Sequence, residues 1–161
     1  MYFSELFLES ESNEAFYNGE KIYSCYHYEK KGKSRIKFRF INSRIDEKQC
    51  IIFMLDPKKD NCKFFCNCKE LKCRGNAFPT IDIFEHNFGK EFIVDVEIKE
   101  GSFSICNGSV MKIGEKEIIN YMDSNYAMKI EKKGNIINFK CNSDEDSTNF
   151  DDLEFEIEIL D

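Results

Sequence analysis

Four cysteines stand close together, at Cys62, Cys66, Cys68 and Cys73. Thiolates of this kind can close a zinc tetrahedron, but structural zinc sites mostly use paired C-x2-C knuckles, and these spacings are irregular. The other reading is packed thiols, because free cysteine behaves as a small buried hydrophobe. On an extended strand Cys66 and Cys68 point to the same face. The chain has two histidines, His27 and His86. Neither adjoins a recognisable nucleophile motif, so a Cys–His dyad would have to be assembled by folding. There is no phosphate-cradling glycine loop and no dinucleotide fingerprint. Carboxylates gather at Asp144-Glu145-Asp146 and Asp151-Asp152 in a polar turn region, without the glycine and fixed ligand spacing of a calcium loop. We expect no catalytic centre, no metal and no cofactor.

The elements that must position any site are strands. Ile36, Phe38 and Phe40 alternate with Arg35, Lys37 and Arg39; Phe92, Val94, Val96 and Ile98 alternate with Glu91, Asp95 and Glu97. Leu153, Phe155, Ile157 and Ile159 alternate with Glu154, Glu156 and Glu158. A period of two marks a strand with one face to a core and one to water. Further strands are expected over 20–28, 49–55, 62–67, 102–107, 125–131 and 135–141. Turn signals separate them, including Asn18-Gly19, Gly101, Asn107-Gly108 and Gly134-Asn135. No segment of a dozen residues carries a 3.6-residue stripe. The chain therefore reads as an all-β antiparallel sandwich or barrel.

With 161 residues, 14% of them aromatic, the chain suits one domain, 1–161, and is excluded from the class of disordered chains. Lys and Arg total 23 against 30 Asp and Glu, a formal charge of −7. That disfavours general nucleic-acid binding, which needs a basic field. No apolar run approaches a membrane span, and the first residues lack the charged and apolar regions of a secretory signal. We expect a cytoplasmic protein with its eight cysteines as thiols.

Cys50-Ile51-Ile52-Phe53-Met54-Leu55-Asp56-Pro57-Lys58 resembles the galectin strand that ends in His-Phe-Asn-Pro-Arg. Phe65-Cys66-Asn67 resembles that family's Val-x-Asn, and Lys69 to Arg74 falls where galectins carry Trp-Gly-x-Glu-x-Arg. Phe78-Pro79, Phe103 to Gly108, Ile119 to Met122, Met128 to Phe139 and Asn18 to Ile22 follow in the family's order. The resemblance spans about residues 16–141. It implies a jelly-roll sandwich that binds a glycan, as a homodimer in many members, and export without a signal peptide for some.

The resemblance also implies a site. Met54, Asp56 and Lys58 stand for the family's His, Asn and Arg; Asn67 and Arg74 are kept; Lys69 replaces the stacking Trp and Lys72 the Glu. Met54 lacks the strong hydrogen bonds of an imidazole, and Lys58 is a point charge where arginine is a fork. An ordinary β-galactoside is therefore disfavoured. In this register Lys58, Lys69, Lys72 and Arg74 gather on one concave face beside Asp56, which suits a sulfated or otherwise anionic glycan. The alternative is a non-catalytic protein-interaction sandwich that has lost the sugar site.

Overall fold

The computed structural model describes residues 1–44, 48–75, 77–143 and 148–160; Asp144-Glu145-Asp146 lies outside them. A short helix α1 (Phe3–Ser10) precedes β1 (Glu14–Tyr17), β2 (Glu20–Tyr23), β3 (Tyr26–Tyr28), β4 (Gly32–Ser43) and β5 (Gln49–Met54). Next come β6 (Asn61–Cys66), β7 (Lys69–Glu70), β8 (Thr80–Ile83), α2 (Glu85–Phe88), β9 (Glu91–Glu100) and β10 (Phe103–Ile113). The chain closes with β11 (Lys116–Tyr121), β12 (Ala127–Lys133), β13 (Ile136–Asn142) and β14 (Leu153–Ile159). The large sheet runs β1-β2-β12-β13-β14-β4-β9-β6-β7, and the small sheet β11-β10-β5-β8 with β3 also on β10. The pairings are antiparallel. This is the all-β antiparallel sandwich that the alternating pattern predicts.

Phenylalanine joins the layers. Phe38 of the large sheet lies 5.4 Å, ring to ring, from Phe53 of the small sheet. Phe53 in turn meets Phe64 and Phe103, each at 5.3 Å. All four rings are fully or almost fully buried, and each such burial contributes roughly 1.5–3 kcal/mol. A second cluster sits where α1 docks, built on Phe3, Ile22, Ala127 and Phe150.

Four local expectations change. The stretch 20–28 is two strands, because the chain crosses from the large sheet (β2) to the small sheet (β3) at Ser24 and Cys25. Asn107-Gly108 is no turn but lies inside β10. A Cβ on Gly108 would lie 2.3 Å from Ile52 Cδ1, so close packing requires the glycine. Strand β5 is buried on both faces rather than one, since Ile119 and Tyr121 of β11 pack against the cluster on its outer side. Asp152 is buried rather than solvated; its carboxylate accepts the Ser143 N–H at 2.8 Å.

Candidate ligand-binding cleft

Phe53, Ile105 and Asn107 face the large sheet, so Met54, Ser104 and Cys106 face outward from the small one. Residues directly paired across strands share a face. One outward row therefore crosses the small sheet. His27 is opposite Ser104, Ser104 opposite Met54, and Met54 opposite Thr80, which bridges to Arg74. Ser104 Oγ and His27 Nδ1 are hydrogen-bonded at 2.6 Å.

The loop after β5 builds a wall beside this row. Asp56 Oδ1 accepts the Lys58 N–H at 3.0 Å, and Asp60 Oδ2 accepts the Asp56 N–H at 2.9 Å. Asp60 Oδ1 takes the Ser102 N–H at 2.9 Å, clamping this loop to the β9–β10 turn. Between the His27–Ser104–Met54 part of the row and the loop lies an open cleft of about 410 Å³. His27, Ser104 and Met54 line it, as do Asp56, Asp60 and the ring of Phe78, which is 73% exposed. The lining holds two aspartates and no lysine or arginine.

The seven residues that the galectin resemblance singles out divide between the sheets. Met54 and Asp56 line the cleft, and Arg74 shares the outward row. Lys58 is exposed in the loop. Asn67 sits in the β6–β7 turn at φ 52°, and Lys69 opens β7 at the edge of the large sheet. Lys72 lies between these groups, with its Nζ 3.3 Å from Glu70. The expected single face carrying four cations is not formed. Its physical cause is the crossing between β5 and β6, which sends the two segments to opposite sheets. Arg74 is also neutralised: its Nε donates to Asp82 Oδ2 at 2.7 Å, and that bond raises the guanidinium pKa further.

His27, Ser104 and Asp60 were not expected at a site. His27 and Ser104 meet through a pairing across 77 residues between β3 and β10, and Asp60 meets Ser102 across 42, neither of which local periodicity can reveal. Ser104 Oγ and His27 Nδ1 form a two-residue contact, and no carboxylate on the second nitrogen of His27 is seen among the described residues. The cysteines are free thiols. Burial raises the pKa of Cys25 beside Ser104, with hydrogen bonds from Ser104 and Ser24 opposing it. Burial also pushes Cys62 up to about 11, helped by the Asp60 charge. At neutral pH these two are protonated and poor nucleophiles. Among the described residues no group of three metal-ligating side chains assembles from the cysteine cluster or elsewhere, and no helix is long and apolar enough to cross a membrane. Compared with protein families, characterised proteins and solved structures, the chain shows no match in any of the three.

Proposed function

We propose that the chain is a non-catalytic glycan-binding module that reads a neutral sugar in this cleft. The observation that carries the proposal is Phe78, an exposed ring on a largely apolar cavity whose lining also holds His27, Ser104, Asp56 and Asp60. An aromatic face packs on the C–H face of a pyranose, while Ser104, Asp56 and His27 supply hydrogen-bonding groups for hydroxyls. The galectin resemblance here stands for the ligand class; the reading surface is the cleft. A neutral ligand suits it better than an anionic one, because its charged lining residues are aspartates.

A glycan array read at low and high salt tests this. Neutral glycans should bind, with little salt dependence. Phe78→Ala should weaken the strongest hit about fivefold, the equivalent of about 1 kcal/mol of ring contact, and leave the melting temperature unchanged. Hits restricted to sulfated glycans, salt-sensitive and indifferent to Phe78→Ala, would contradict the proposal.

A second reading, a protein-interaction sandwich, draws on β11. This strand ends the small sheet's order, and Ile113 and Ile118 of its hairpin are 60% and 41% exposed. Such an edge can accept a partner's strand. A blank array together with specific capture of one protein partner, lost in Ile118→Lys, would favour it.

A further inference from the structure

The cleft does not end at His27. A second cavity, about 470 Å³, shares Asn13, Cys25 and His27 with it. A third, about 560 Å³, shares Tyr23 and Ile130 with the second and opens on the outer face of the large sheet. The first two share three lining residues, and the second and third share Tyr23 and Ile130 as a common wall, beside the place where β2 and β3 part into different sheets. From this continuity we infer that the site is one groove, and that its ligand is an extended neutral oligosaccharide rather than a single sugar. The inference rests on the glycan reading of the cleft.

Three features favour that occupant. Aromatic rings recur along the path, with Phe78 in the first cavity and Tyr23 and Tyr26 in the second. The charged side chains of the second cavity, Glu14 and Lys132, are of opposite sign, and Glu14 is already 3.4 Å from Lys21 Nζ. The middle of the groove therefore carries no field that would demand a charged ligand. A peptide added as a strand would need a long free edge for main-chain bonds, and β3 offers three residues. Polar side chains and rings spaced along a groove instead match repeated sugar units, each with hydroxyls and an apolar face.

The test is calorimetry with ladders of one to six β-1,4-linked units of glucose, mannose and N-acetylglucosamine. In at least one ladder, affinity should rise tenfold or more between two and five units. Tyr23→Ala should remove that gain while leaving disaccharide affinity unchanged, and Tyr23→Phe should restore it. Ser12→Trp should also abolish the gain by filling the second cavity from an exposed position, which keeps the test decisive if Tyr23→Ala melts early. Phe78→Ala should weaken every length alike. A flat length dependence, or a gain untouched by both Tyr23→Ala and Ser12→Trp, would overturn the groove and leave the cleft reading standing. No binding from any ladder also overturns the groove, and the cleft reading falls with it only when the array is blank too.

Discussion

Phe53→Ala should lower the melting temperature by roughly 10 °C. The ring is fully buried, and it contacts Phe38 of the large sheet as well as Phe64 and Phe103. Three neighbouring rings would lose dispersion contacts at once. The rigid strands on both sides cannot collapse to fill the void, so transfer and cavity costs add to about 3–5 kcal/mol. For a domain of this size each kcal/mol corresponds to about 2–4 °C. A thermal melt followed by far-UV circular dichroism checks it. A shift below about 3 °C would mean that the two sheets do not meet through this ring.

Gly101→Ala should produce the second large loss, and it links stability to the cleft. Gly101 has φ 76°, and a Cβ there would lie 2.0 Å from Asp60 Oδ1 and 2.7 Å from the Lys59 carbonyl. A left-handed backbone alone costs a non-glycine residue about 1 kcal/mol or more. The clash adds displacement of Asp60, whose carboxylate holds both Ser102 and Asp56 by their N–H groups. A total of roughly 2–3 kcal/mol is expected from strain together with the broken bonds. Gly134 is the control. It has φ 62° with open space around its Cβ, so Gly134→Ala carries only the backbone cost. Urea unfolding of the two variants should show Gly101→Ala as clearly the less stable, with weaker glycan binding as well. Equal losses would show that the Asp60 clamp contributes nothing.

The strands β4, β9 and β14 were legible because each has one wet and one dry face. Ile36 to Phe40, Phe92 to Ile98 and Leu153 to Ile157 bury their alternate residues as their spacing predicts, while Ile159 is only partly buried. Strand β5 hid its outward face because Cys50 and Ile52 are as buried as Ile51 and Phe53. A strand covered on both sides loses its alternation. Helix α1 escaped notice because it is short and opens on Tyr2, whose backbone N–H is taken by the Glu5 carboxylate at 2.6 Å rather than on a serine or aspartate cap. Gly108 resembles a turn glycine in sequence; only the approach of Ile52 shows its packing role.

The candidate site was less legible than the fold. Met54 and Asp56 were singled out by position in a motif, and the structure does place both at one cavity. Asn67 and Lys69 were singled out by the same motif and lie at the edge of the other sheet. Which sheet a strand joins depends on where the chain crosses the core, and the crossing after Asp56 leaves no periodic signature. The pairing of His27 with Ser104 is likewise a property of the β3–β10 register and of no local pattern.

The most direct test of the glycan cleft is amide shift mapping of isotopically labelled protein titrated with the strongest neutral glycan from the array. Saturable shifts should centre on His27, Ser104, Met54, Asp56 and Phe78, with Asn13 and Tyr23 joining as the chain lengthens. Shifts centred instead on Arg35 and Asp95 of the large sheet, or on Ile118 of β11, would contradict the account.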